Sequence, residues 1–101
     1  MYYNVLEAKE LVNDGENKFD KKLLLQNGNS SLVIIALKKD EIIDTHTSKE
    51  DAAVYVIDGE IELHFNAEKF TLDKGEILMF KKNEEHKVLA LKDSKFFVIK
   101  I

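Results

Sequence analysis

Three histidines carry the most evident chemistry in this sequence: His46, His64 and His86. An imidazole changes charge near neutral pH and is the commonest protein metal ligand. His46 and His86 lie just ahead of two apolar runs, whereas His64 shares the polar face of an alternating segment with Glu60 and Glu62. We expect His64 to be solvated. His46 and His86 are expected at strand ends, as a functional pair or as two surface side chains.

Short runs of β-branched and aromatic residues surround these histidines and are separated by turn residues. They predict strands at 22–26, 31–37, 52–57, 60–65, 69–72, 77–80, 86–91 and 96–101. Asn27-Gly28-Asn29 predicts a turn, and Asp58-Gly59 a tight hairpin. Ahead of the strands, residues 5–12 have helical spacing and residues 14–17 predict a turn. Without intervening helices, the pattern predicts an all-β antiparallel sandwich or small barrel whose alternate side chains face inward.

Size and composition narrow the function classes. The 101 residues are enough for one domain, which we divide into an N-terminal segment, 1–20, and a barrel, 21–101. The net charge of -4, and 15 scattered lysines without any arginine, argue against nucleic-acid binding. No apolar run approaches the roughly 20 residues of a membrane span, and the acidic N-terminus does not resemble a signal peptide. We expect a cytoplasmic protein that does not bind membranes.

Two stretches resemble the motifs of the cupin superfamily, in particular its small single-domain members. The first cupin motif is G-x5-H-x-H-x3,4-E-x6-G. In this register His46 takes the first histidine, Ser48 the second, Ala52 the glutamate and Gly59 the closing glycine, while Asp40 replaces the opening glycine. The segment "HTSKEDAAVYVIDGE" is similar throughout to a cupin subgroup of unassigned function.

The second cupin motif is G-x5-P-x-G-x2-H-x3-N. Gly75 and His86 keep their positions in it, whereas Lys81 replaces the proline, Asn83 the glycine and Ala90 the asparagine. The resemblance covers roughly residues 32–101. It implies a small antiparallel β-barrel of the jelly-roll type, also called a double-stranded β-helix.

The same resemblance implies a metal site that is only half retained. A full cupin site holds Fe, Mn, Ni, Cu or Zn with three histidines and a glutamate, and this chain, which has no cysteine, offers His46 and His86. Ser48 is a poor ligand and Ala52 lacks the carboxylate. A divalent metal would therefore be held weakly. Glu50 shares strand parity with His46 and is a candidate third ligand, with a surface role as the alternative.

Strand parity also predicts what surrounds the histidine pair. If Ala52 and His86 face inward, so do Val54 and Val88, which gives a pocket lined by His46, Ser48, Ala52, Val54, His86 and Val88. Apolar walls with a few polar groups are typical of small-molecule sites, although the same residues could simply fill a core. We expect a small-molecule-binding barrel. The alternatives are a metal-dependent dioxygenase or isomerase, and a metal-free sensory or interaction domain.

The C-terminal strand predicts self-association. Residues 96–99 are apolar on both faces, and Tyr55 and Ile57 point outward if their neighbours on the strand point inward. A strand that is apolar on both sides is usually covered on both sides. We therefore expect a second subunit to cover the outer face in a two-fold homodimer.

Overall fold

The computed structural model describes residues 3–13 and 18–101. The turn predicted at residues 14–17 lies outside the described residues. A 3-10 turn, Ala8–Glu10, occupies the middle of the segment with helical spacing. No helix in the described part of the chain has the length and apolar character needed to cross a membrane.

Strands make up most of the remaining chain. Over the described residues there are nine, and burial alternates with a two-residue period in strands that pack one face on the core, such as residues 52–56, 60–64 and 86–90. Their bounds are β1 Phe19–Asn27, β2 Ser30–Leu37, β3 Ile42–His46, β4 Ala52–Asp58, β5 Glu60–His64, β6 Lys69–Asp73, β7 Ile77–Phe80, β8 His86–Ala90 and β9 Ser94–Lys100.

The strands form two antiparallel sheets. One has the order β1-β2-β9-β4-β7 and the other the order β3-β8-β5-β6. The alternating apolar residues meet between the two sheets in one core. Its fully buried members include Leu37, Val56, Ile61, Leu63 and Phe96. The predicted all-β, antiparallel jelly-roll architecture is confirmed.

The turn at Asp58-Gly59 is not the predicted hairpin. β4 pairs with β7 and β9, whereas β5 pairs with β6 and β8, so Gly59 carries the chain from one sheet to the other. The prediction is wrong because turn residues specify a reversal of the chain and not which strands then pair. Gly59 has a φ of 84° and lies directly against the backbone of Asp93 and Ser94. Ser94, fully buried, accepts a hydrogen bond from the Glu60 N–H through its hydroxyl.

β3 is the strand that the sequence patterns missed. No strand is predicted between residues 37 and 52, whereas in the structure residues 42–46 form a strand and His46 is its last residue. Most of β3 is exposed, and its pairing with β8 is interrupted between Ile43 and His46. An exposed, irregular edge strand has little hydrophobic alternation, so its conformation depends on its partner strand.

The N-terminal segment covers part of the outer face of the five-stranded sheet. Val12 is buried there with Ile34 and Ala36, and five partly buried side chains pack around them: Ala8, Leu11, Leu24, Ile57 and Phe97. The outward side chains of β4 and β9 are therefore covered in part by the chain itself. At this end of the sheet the chain itself supplies part of the cover, and the expected homodimer stays a prediction.

The other end of that face carries an uncovered apolar row. One residue from each of the five strands pairs with the next across the sheet: Leu25, Leu32, Ile99, Ala53 and Met79. Leu25 and Met79, at the two ends of this row, are 68% and 74% exposed. We call these five residues the outer row.

Candidate functional site

A cavity of about 120 Å³ lies between the two sheets. Its polar lining consists of His46, His86, Ser48, Lys21 and Lys100. The rest of the lining is apolar and comes from seven strands: Phe19, Val33, Ile35, Ile43, Ala52, Val54, Phe80, Val88, Phe96 and Val98. All six residues singled out from the sequence line this one cavity. Whether they bind a ligand there stays a prediction.

His46 and His86 are brought together by strand pairing. They are register partners at the ends of β3 and β8, and their ring centroids are 4.2 Å apart with the planes at 61°. His86 is buried, whereas His46 is exposed at the edge of the cavity. The ring of Phe80 lies 4.7 Å from that of His86 and restricts its movement.

Both histidines present the same ring nitrogen to the backbone. His46 Nδ1 lies 2.8 Å from the carbonyl oxygen of Asp44, and His86 Nδ1 lies 2.8 Å from that of Glu84. A carbonyl only accepts hydrogen bonds, so each Nδ1 carries the proton and donates it. In the neutral rings each Nε2 then has a free lone pair, the arrangement found in metal-binding and hydrogen-bond-accepting histidines.

Burial decides the charge of His86. Loss of water around the ring lowers the pKa of His86, and the hydrogen bond to the Glu84 carbonyl offsets this only in part. The positive charges of His46, when protonated, and of Lys100 lower this pKa further. His86 is therefore neutral at neutral pH, with Nε2 as an acceptor.

The other residues predicted for the site have structural roles in addition. Ser48 is buried, and its hydroxyl donates to the Glu50 carbonyl oxygen at 2.9 Å and accepts from the Glu50 N–H at 3.2 Å. That hydroxyl is already occupied and offers little to a ligand. Ala52, Val54 and Val88 are buried apolar wall residues, as strand parity predicts.

No carboxylate joins the histidine pair. Glu50 does not line the cavity, and within the described ranges no group of three or more histidine, cysteine, aspartate or glutamate side chains is arranged to hold a metal. His64, expected to be solvated, instead lies 2.6 Å from Glu62 through Nε2 and does not line this cavity. The residues present thus fit a four-ligand metal centre poorly, and a bound metal would take most of its ligands from water or from a small molecule.

Two lysines in the lining were missed by the sequence reasoning. Lys21 belongs to edge strand β1 and is exposed, whereas Lys100 is half-buried near the end of β9. A signal was present for Lys100, because it shares strand parity with Phe96 and Val98, which face the core. The predicted two-sided apolar stretch covers residues 96–99 and ends just before Lys100. For Lys21 the signal was weaker, since β1 lacks a regular hydrophobic alternation.

Comparison with known families gives one match. A model of the cupin domain family matches residues 33–100, which include eight of the nine strands in whole or in large part. No curated protein matches the sequence.

Solved structures share the fold at low sequence identity. A cupin superfamily protein from Desulfitobacterium hafniense has a TM-score of 0.91 at 18% identity, over 100% of this chain and 93% of that one. A conserved protein of unknown function from Streptococcus pyogenes has a TM-score of 0.87 at 20% identity, over 99% and 89%. KdgF from a Halomonas species has a TM-score of 0.77 at 19% identity, over 94% and 91%. At these identities the likeness concerns the fold alone.

Proposed function

This chain belongs to the cupin domain family, and from that premise we propose that its barrel is a small-molecule-binding module. The observation that carries the proposal is the cavity itself. It combines apolar walls with a polar end made of two imidazoles in contact, whose Nε2 atoms are free of protein hydrogen bonds among the described residues. Such a combination of apolar surface and a few placed polar groups is typical of ligand sites.

The alternative, that the cavity is only imperfect core packing, is less consistent with its polar groups. Voids left by packing are usually apolar and stay dry. Here the buried His86 and the half-buried Lys100 line the space. Placing such groups next to a void is unfavourable unless water or a ligand solvates them.

A divalent metal held through His46 and His86 is a second form of the same site. Both rings donate from Nδ1 to a backbone carbonyl and leave Nε2 free, which supports this form. The described lining contains no carboxylate, which argues for weak binding. Zn, Fe, Mn, Ni and Cu all accept imidazole ligands. In such a complex the two Nε2 atoms would bind the metal, which would supply a Lewis acid.

We expect a metal, if one is bound, to depend on both histidines. Elemental analysis of protein purified without chelator or affinity tag, and again after loading with each of the five metals, measures the metal content. The His46→Ala/His86→Ala variant should lose the bound metal. The His64→Ala variant should keep it, because His64 lies outside the cavity. Equal metal content in the wild type and both variants would contradict the two-histidine site. If none of the three proteins holds metal, the metal-bound form is ruled out and the metal-free pocket remains the proposal.

The enzymatic alternative has less support. A cupin-type dioxygenase or isomerase needs a firmly held metal or a general base, and no carboxylate lines the described cavity. A neutral His86 could accept a proton through Nε2. That single feature is equally consistent with binding, so we keep the binding module as the proposed function.

We also propose that the outer row is covered by a second copy of the chain. The N-terminal segment covers only one end of the outer face, and the exposed row extends apolar surface across all five strands. A two-fold axis near its centre would bring the row of one subunit onto that of the other. Light scattering at micromolar concentration should give a dimer, and Met79→Lys should shift it toward monomer. A monomeric wild-type protein would contradict the proposal.

A further inference from the structure

The ionisable side chains that line the cavity are all bases. They are His46, His86, Lys21 and Lys100, and no aspartate or glutamate lines it in the described part of the chain. This is unusual for a chain with 19 acidic residues and a net charge of -4. The local charge is thus opposite in sign to that of the whole chain, and such a site attracts anions.

Neither of the two lysines has a carboxylate partner in the part of the chain that the structure describes. Lys18, Lys69 and Lys81 form salt bridges, whereas over residues 3–13 and 18–101 neither Lys21 nor Lys100 lies within salt-bridge distance of a carboxylate. An ammonium group that is partly removed from water gains most from a negatively charged partner. Lys100 is the more sheltered of the two and lies opposite Ala52 in the sheet.

The histidines offer hydrogen-bond acceptors to a ligand, whereas the lysines offer donors. Because each Nδ1 donates to a backbone carbonyl, the two Nε2 atoms of the neutral rings can only accept. A ligand that meets both ends of this site therefore carries a negative charge for the lysines and an O–H donor for the histidines. Its remaining atoms must be apolar to match the walls.

The size of the cavity limits the ligand further. A cavity of about 150 Å³ holds the six carbon atoms of benzene, so the 120 Å³ found here encloses about five non-hydrogen atoms, and one or two more can extend past the exposed edge at His46. A phosphate group is less suited, because phosphate sites usually present several backbone N–H groups or a helix N-terminus. The described lining presents side chains of strands instead.

Resting on the small-molecule site proposed above, we infer that the cavity takes a short-chain hydroxy acid. Its carboxylate pairs with Lys100 and Lys21. Its hydroxyl donates to Nε2 of His46 or His86, and its hydrocarbon part packs on the valine and phenylalanine walls. No metal is needed for this arrangement.

The test compares three probes of similar size on chelator-treated protein: 2-hydroxybutanoate, butanoate and 1,2-butanediol. Binding is followed by calorimetry and by NMR shift changes. We expect the hydroxy acid to bind about 10- to 100-fold more tightly than the diol, which lacks the charge. It should also bind more tightly than butanoate, which lacks the hydroxyl. Equal binding of the two acids would overturn the hydroxyl contact.

Matched variants locate the charge. Lys21→Met/Lys100→Met should bind the hydroxy acid no better than the diol, while its unchanged diol binding reports an intact pocket. Lys22→Met is the control, because Lys22 is next to Lys21 on β1 but pairs with Ile34, which packs against Val12 of the N-terminal segment and does not line the cavity. It should bind all three probes like the wild type.

The outcomes separate this inference from the proposal beneath it. Diol binding as tight as hydroxy-acid binding would overturn the anionic ligand and leave the small-molecule pocket standing. Two results with Lys21→Met/Lys100→Met would also overturn the role of the two lysines: loss of diol binding, or an unchanged preference for the hydroxy acid over the diol. If none of the three probes binds the wild-type protein, the inference and the small-molecule pocket both fall.

Discussion

Gly59→Ala is expected to lower the free energy of unfolding by about 3–5 kcal/mol. Two effects add at this position. A φ of 84° is unfavourable for any residue with a Cβ, at about 1–2 kcal/mol. In addition, the new methyl group would lie 2.7 Å from Ser94 Cα and closer still to the Asp93 carbonyl and the Ser94 hydroxyl. Two of these three contacts are backbone atoms, which cannot rotate away. Urea unfolding followed by circular dichroism measures the loss.

Gly75→Ala is the matched control for this prediction. Gly75 has nearly the same φ, 89°, but a Cβ there would meet no atom within 4 Å. It should lose only the conformational part, about 1–2 kcal/mol. If both variants lose the same free energy of unfolding, the close approach of Gly59 to Asp93 and Ser94 does not contribute to the loss. The effect at Gly59 would then be purely conformational.

Ala52→Glu is expected to convert the weak two-histidine site into a firm metal site. It restores a carboxylate at the position that the first cupin motif reserves for glutamate, and Ala52 already lines the cavity with both histidines. Two histidines and a carboxylate form a common metal-binding triad. Affinity for Zn or Fe should rise at least about 100-fold, because even second-shell partners change metal affinity by about 10–100-fold. Titration against a competing chelator measures it.

Ala52→Gln controls for the size of the new side chain. Glutamine fills the same space without the charge and should raise metal affinity little. Lys100 lies opposite position 52 in β9 and gives the new carboxylate a charged partner before metal is added, which favours folding of the variant. Equal affinities for the Glu and Gln variants would show that position 52 does not reach the metal. The site would then have to be organised differently from the family pattern.

The sequence predicts the fold well because most strands are half-buried. Where one face packs on the core, as in β4, β5 and β8, burial alternates residue by residue and the period is visible. β3 lacks this alternation, since four of its five residues are exposed. The pairing of β4 with β9 rather than β5 is invisible for a different reason. It joins residues about 45 positions apart, such as Ala53 and Ile99, and no local pattern specifies such a partner.

The candidate site shows the same division. Parity along β4 and β8 places Ala52, Val54, His86 and Val88 on the inner face, as the structure finds. Lys21 enters the lining only because β1 lies at the edge of its sheet, where the opposing sheet leaves it exposed. The orientation of the imidazole rings depends on carbonyls two residues earlier, at Asp44 and Glu84, and becomes visible only when the backbone is known.

The position of β9 has a consequence for synthesis of the chain. β9 is synthesised after the other eight described strands, yet it lies in the middle of the five-stranded sheet, between β2 and β4. Until it emerges, β2 has β1 as its only neighbour in that sheet and the apolar cluster around Phe96 cannot close. The five-stranded sheet therefore cannot be completed before β9 has been synthesised. The fold pairs residues as far apart in sequence as Ser31 and Lys100. The protein therefore belongs among the slow, high-contact-order β proteins, which fold in milliseconds to seconds. β1 stays an edge strand in the folded sheet, and its lysines and bulge help to keep that outer edge from pairing with other chains.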